Sequence, residues 1–549
     1  MKIGNIENTK KKAKTKGQAL ILAYIMVAVF SVLATGLTKL AVNEKNFVMH
    51  ERLMAQTLYL AEGGIDDAIN KFTSGIANYA IQPDVATYQP APATFTMFYN
   101  ASVTATITRL DANERTVIEN QTNILVRDYE ITCTVTHPEN NNIQVTVHQI
   151  IARRLIPTFQ HFVFYNDDLE VLPGRNMTMS GRIHCNQNIY LDAEGGATLT
   201  IDSLHLYSTG NIYNQRKDSG QELGGEVSIR VTKAGAPKYE NMNNLDSDSA
   251  TWTTDAIDRW KGTVKSAVHG VTQLTAPSVG SIQPNDYYAS NANVIITNNQ
   301  VVKGGAALVE GVDCPMGTIT STTTLYNNRE GIDIKTTNID LKKLAGYAPG
   351  DVEGSPSFRN NLPSNGLLYA TRNDATTTEP GIRLVNGGTL YTSGGLTIVS
   401  NDPVYVQGDY NTNNERPASI ICDSLNILSN NWNDVNSTGG LSARTATTTT
   451  INCAVIAGVD TTTGGHYNGG LENYPRLHES WSGIQLNIKG SFVELWNSHI
   501  ATGAWQYGAP QYTAPTRNWT YNTNFNNINS LPPFTPWAVE AQRVAWWKD

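Results

Sequence analysis

Residues Gln18 to Thr38 form 21 consecutive positions without a charge, QALILAYIMVAVFSVLATGLT, directly after a Lys-rich head, MKIGNIENTKKKAKTKG. At 1.5 Å rise per residue the run is long enough to cross the roughly 30 Å hydrocarbon core of a bilayer. The lysines of the head hold that end on the cytoplasmic side and place everything after Lys39 outside. A cleaved secretory signal competes with this reading, with Val32-Leu33-Ala34 as its small-residue site. Against it, no proline interrupts Leu40 to Phe72. There Phe47, Met54, Leu58, Ala61, Ile65, Ala68 and Phe72 recur at helical spacing. The pattern predicts one rod from Gln18 to Phe72, roughly 80 Å long, with Gly63-Gly64 as a kink and Ser74-Gly75 as its stop.

Beyond the rod the hydrophobic period changes to two. Thr94–Phe98, Ser102–Thr108, Tyr129–Val135 and Ile143–Val147 alternate, and turn-like stretches such as Pro138–Asn142 separate them, which predicts antiparallel strands over residues 76–157 packed on the second half of the helix. After Pro157 the strands shorten and Gly, Asn and Asp divide them. Apolar pairs two residues apart form three series. The first runs Met177/Met179, Ile183/Cys185, Ile189/Leu191, Leu199/Ile201 and Leu204/Leu206. The second runs Ile382/Leu384, Leu390, Leu396/Ile398, Val404/Val406, Ile420/Cys422 and Leu425/Ile427, and the third Cys453/Val455, Leu486/Ile488 and Val493/Leu495. Short strands joined by tight turns predict a right-handed parallel β-helix over residues 158–500, with a β-sandwich as the alternative. The rhythm breaks over about 235–350, read as an insertion holding a helix from Thr254 to His269 and a loop from Pro277 to Gly305. The fold class expected is therefore α+β.

Charge narrows the partners. The chain carries 40 Lys+Arg and 48 Asp+Glu; without the six Lys and one Glu of residues 1–17, 34 basic side chains stand against 47 acidic, a net of −13. An acidic ectodomain is a poor nucleic-acid binder, so no nucleic-acid partner is expected. The five cysteines, at 133, 185, 314, 422 and 453, are odd in number with no close pair, so neither a zinc knuckle nor a disulfide framework is indicated. Cys185, Cys422 and Cys453 read as buried small hydrophobes.

Catalytic signatures are missing: the sequence contains no Gly-x-Ser-x-Gly elbow, no phosphate-binding loop, no His-Glu-x-x-His and no Cys-x-x-Cys. His184 and Cys185 are adjacent in a strand, so they point to opposite faces and do not share an ion. His478-Glu479 beside Trp481, and Asp460 to His466, read as solvated Gly-rich loops, with a metal or sugar site as the sharper alternative. No metal, cofactor or enzymatic activity is expected. Aromatics crowd the end of the chain, from Trp496 through Trp505, Tyr507 and Trp519 to Trp546 and Trp547. They read as a cap over an open coil end within residues 501–549, with a sugar-stacking surface as the alternative.

The basic head, Lys16-Gly17, the uncharged run, the amphipathic half and Leu58-Tyr59-Leu60-Ala61-Glu62-Gly63-Gly64-Ile65 resemble the amino-terminal region of type IV pilin-like proteins of the PilX class. The resemblance implies a prepilin-type leader of residues 1–17, cut by a prepilin peptidase between Gly17 and Gln18, and a transmembrane and amphipathic pilin helix over 18–75. Leu20, Tyr24, Val27 and Phe30 would then belong to the surface that packs in the inner membrane and the filament. Most pilins carry a glutamate at the fifth mature position, where this chain has Leu22; a buried carboxylate is costly unless a neighbour neutralises it. That departure and the 532 residues after Gly17 bring the likeness closer to minor, tip-located members such as K-type pseudopilins. Segments such as Leu384–Gly388, Gly394–Ile398, Pro403–Asn411 and Ile427–Trp432 are similar to the large carboxy-terminal regions that follow PilX-like amino termini in many environmental bacteria. The function implied is a minor pilin or pilin-like surface protein in a type IV pilus or pseudopilus filament, with other pilin subunits, the peptidase and surface glycans as partners. The alternative is a membrane-anchored β-helix enzyme or binding module acting on extracellular polysaccharide.

Overall fold

The computed structural model describes residues 7–77, 87–88, 93–95, 101–119, 122–231, 235–503 and 505–549. The start of the expected leader and the expected strand positions Thr96, Met97 and Phe98 lie outside the described residues.

One helix, α1, runs unbroken from Glu7 to Ala77, a rod of roughly 105 Å. Its described residues reach into the expected leader at one end and two residues past the expected stop at the other. Leu60, Ala61, Ile65, Ala68 and Phe72 are buried against a sheet, packed on Ile107, Tyr129, Ile131, Cys133, Val147 and Ile151. Burying Leu60, Ile65 or Phe72 contributes about 1.5–3 kcal/mol each, and Phe72 adds an edge contact to Tyr129 at 4.9 Å between ring centroids. Gly64, expected as part of a kink, lies where α1 meets the sheet. A Cβ placed there would lie 2.5 Å from Val103 Cγ1 and 2.6 Å from Cys133 Sγ, so this glycine lets the helix press onto the sheet. Phe47, at the start of the expected stripe, is 66 % exposed, because α1 has already left the sheet at that level.

The sheet under α1 is antiparallel. Ala105–Arg109, Thr122–His137 and Asn140–Pro157 lie side by side, and the fourth neighbour is the last strand of the chain, Trp537–Lys548. Trp537 pairs with Pro157, so the chain leaves this sheet at one point and returns beside it after several hundred residues. The large β region is thus an insertion between two adjacent strands. Thr158 N–H and its hydroxyl both donate to the Pro536 carbonyl, at 3.1 and 3.2 Å, tying exit to entry.

The inserted region is a coil of stacked parallel rungs, not a sandwich. Val163–Tyr165, Ile183–Cys185, Leu206–Ser208 and Val264–Lys265 pair in parallel in that order along one face. The chain then crosses to the far end and climbs back through Val294–Thr297, Leu367–Thr371, Leu396–Val399, Ala418–Cys422, Thr449–Ala457 and Gln485–Glu494. Gln485–Glu494 then pairs in parallel with the first strand, Phe492 opposite Val163 and Glu494 opposite Tyr165, fusing two half-coils into one sheet. The apolar pairs read from the sequence fill the interior: Met179, Cys185, Ile201, Ile398, Val404, Cys422 and Ile488 are all buried. Leu204 is the exception, only half-buried.

Several expected boundaries differ. The helix of the insertion, α2, spans only Trp252–Trp260, ended by Lys261 in a left-handed conformation. Val264–Lys265, expected on that helix, is instead the top rung. Residues 235–350 are not an interruption, since Val294–Thr297, Ile319–Asn327 and Ile332–Asp340 all belong to coil sheets. Their Asn- and Gly-rich neighbours are turns between strands. The stretch expected as loop holds a short helix, Tyr287–Asn291, and a hairpin, Val294–Thr297 with Gln300–Lys303. Nor does the tail cap a coil end. Antiparallel hairpins finish the ends, whereas Thr516–Tyr521 pairs alongside Gln485–Gly490 at the seam and Trp537–Lys548 joins the other sheet.

Candidate functional site

From residue 17 to residue 52 every position of α1 is exposed. Gly17 and Gln18 are exposed, and nothing lies within 4 Å of the Cβ direction of Gly17. Leu20, Tyr24 and Val27 stack on one face at i, i+4 and i+7 and are 62, 71 and 62 % exposed; Phe30 flanks them, and Leu22 lies on the opposite side, equally bare. The segment Gly17–Gly75 has the length and composition to cross a membrane. Its polar side chains suit an apolar surrounding, because Ser31, Thr35 and Thr38 each donate to the carbonyl four residues earlier at 2.7 Å. Charge returns only at Lys39.

The chemistry-bearing residues singled out from the sequence fall into separate places. His184 and Cys185 do face opposite ways: Cys185 Sγ donates to the Asp167 carbonyl at 3.0 Å inside the coil, while His184 stacks on Phe164 outside it. His184 belongs to a buried set with His161 and His205, ring centroids 6.0–6.3 Å apart. Burial, with Arg182 adding to it, holds all three rings below their usual range, His184 at about 4. His478 and Glu479 are not in a solvated loop. Both are buried after the strand Pro475–Leu477, His478 bonded to Asn426 and Glu479 accepting from the Ser429 N–H and hydroxyl at 2.6 and 2.7 Å. Asp460 and His466 bond to each other at 2.5 Å across a surface loop. Among the described residues no group of three or more His, Cys, Asp and Glu is arranged to hold a metal ion, and all five cysteines are free and buried.

Sequence reading missed the seam between the half-coils. Glu494 is fully buried there and accepts from the Asn166 and Asp167 N–H groups at 3.0 Å each. Glu472 accepts from the Leu172 N–H at 2.9 Å. Burial raises Glu494 to about 8 and Glu472 to about 7, with Asp167 adding to the first. Beside Glu472 a cleft of about 470 Å³ opens, walled by Leu172 and Arg216 of the first half-coil, Tyr467 of the second, and Trp505, Tyr507 and Tyr512 of the tail. Its rings are fixed by one another: Tyr467 meets Trp505 edge to face at 5.2 Å, Tyr507 meets Tyr512 at 5.8 Å, and Trp505 Nε1 donates to the Tyr512 hydroxyl at 3.1 Å. Gly469, at φ +88°, makes room for this, since a Cβ there would sit 2.3 Å from Trp505 Cδ1.

No family model matches the chain, and no curated protein matches it. Among solved structures, the competence-associated pilin ComZ of Thermus thermophilus aligns over 90 % of this chain and 97 % of its own, at 8 % identity and a TM-score of 0.28. At that identity and score the alignment carries no argument about fold or role.

Proposed function

We propose that this chain is a pilin-like subunit of the minor, tip-located kind, with a structural rather than a catalytic role. Held in the inner membrane by α1 and cut between Gly17 and Gln18 by a prepilin peptidase, it enters a type IV pilus or pseudopilus filament and displays its acidic β coil outside for assembly or adhesion.

The observation that carries this is the division of α1. From Leu60 onward the helix is buried on its own antiparallel sheet, while residues 17–52 meet nothing in this chain. The uncharged run within it, residues 18–38, is not left in water. A bilayer covers it before assembly, and neighbouring helices of the same type cover it in a filament, where helix packing needs only close-fitting apolar faces. Leu22 fits a subunit that needs no charge partner from the next one. The likeness of residues 10–72 to PilX-class amino termini supports the same reading.

The test is fractionation of cells carrying the chain with a carboxy-terminal tag, before and after shearing the surface. The reading expects tagged chain in the sheared filaments, shortened by its leader, and full-length chain held in the membrane when the peptidase is inactive. Full-length chain confined to the membrane in both strains contradicts it.

A further inference from the structure

The cleft at the seam is built like a ligand site and has no role in anchoring. Its volume of about 470 Å³ falls within the roughly 300–1,000 Å³ of small-ligand pockets. Three separate parts of the chain converge on it. Its floor carries Glu472, only 7 % exposed, whose Oε1 is used by the Leu172 N–H while Oε2 has no partner. Arg517 Nε, on the same lining, is likewise without one. Buried polar atoms are satisfied almost everywhere in folded proteins, so an orphaned carboxylate oxygen on a side chain that lines a cleft marks a place for a donor that enters it.

The walls say what that donor belongs to. Trp505 and Tyr467 present ring faces and edges held at 73° to each other, and Arg216 lies 4.5 Å over Tyr467 while paired with Asp218, so its charge is spent. Above about pH 7, where Glu472 is ionised, the remaining lining charges balance, Arg175 and Arg517 against Glu194 and Glu472. A ligand here gains nothing from net charge. It needs an apolar face for the rings and hydroxyls that both donate to a carboxylate and accept from a guanidinium. We propose that the seam cleft binds a neutral saccharide, a short stretch of an extracellular glycan whose ring stacks on Trp505 and packs against Tyr467, and whose hydroxyls bond to Glu472 and Arg517. This goes beyond the filament reading and stands whether or not α1 is processed.

The experiment titrates the full chain, in micelles of a detergent without a sugar headgroup, with cellohexaose, maltohexaose, chitohexaose and an oligogalacturonate of similar length, followed by tryptophan fluorescence and calorimetry. The expected result is saturable binding of at least one neutral oligosaccharide in preference to the galacturonate. Trp505→Ala should weaken it about tenfold or more, as loss of a central aromatic anchor does, and Trp546→Ala, on the remote last strand, should not change it. Because the Trp505 variant removes packing, Glu472→Gln serves as a second probe that mimics the protonated acid. It should weaken binding above pH 7 and flatten the dependence of affinity on pH between 6 and 8. No saturable binding at about 10 mM, tighter binding of the galacturonate, or affinity unchanged in both cleft variants overturns the proposal.

Discussion

Glu494 shows how one buried carboxyl sets a pH dependence. Raised to about 8 by burial, with Asp167 adding to it, it keeps its proton in the folded chain at pH values where the unfolded chain has lost it. The folded state therefore binds more protons between roughly pH 4.5 and 8, and stability falls as pH rises through that window. Glu494→Gln cannot titrate, so its stability relative to the parent should grow from near zero at pH 5 to a few kcal/mol at pH 8. Urea unfolding midpoints at both pH values check this, and the buried histidines cancel in the difference. Gly64→Val should cost about 1–3 kcal/mol by overpacking against Val103 and Cys133, read as a lower thermal midpoint. At this scale the sequence was informative where burial follows from alternation, as for Ile183/Cys185 and Leu425/Ile427. It was silent on Glu472 and Glu494, whose partners are backbone N–H groups some 300 residues earlier. No local pattern records a partner that distant.

Elements divide by what specifies them. The long helix was legible because its signals are local: an uncharged run, then an apolar stripe without proline. The last strand, Trp537–Lys548, was not, because its place beside Asn140–Pro157 depends on where the whole inserted coil ends. Val539 is 1 % exposed within the core between α1 and the sheet. Val539→Asp should cost on the order of 3–5 kcal/mol by burying an unpaired charge. Hydrogen exchange should then show residues 54–77 of α1 and the antiparallel strands losing protection together while the coil keeps its own. In the bare segment, Val27→Lys places a charge mid-span at about 2.5–3.5 kcal/mol. Its expected outcome is a clear loss of chain from washed membranes, measured by quantitative immunoblot.

At the scale of the whole molecule, a helix-on-sheet unit carries a coil of two half-helices inserted between neighbouring strands, closed at a seam. The coil was readable as short strands in series. The crossing between its ends and the seam were not, because stacking order is set by three-dimensional closure and not by the period of the sequence. The chain passes between the helix-on-sheet unit and the β body at two adjacent crossings, Pro157 and Trp537, and Val539 ties the two further by exchanging backbone hydrogen bonds with Thr275. In the proposed filament those crossings carry load from α1 to the coil. The amino-terminal sequence and intact mass of the chain recovered from its native membranes test this most directly. A start at Gln18 is the predicted result and makes the exposed helix a processed filament element; an intact Met1, or a start near Thr35 that removes the apolar run, would contradict it.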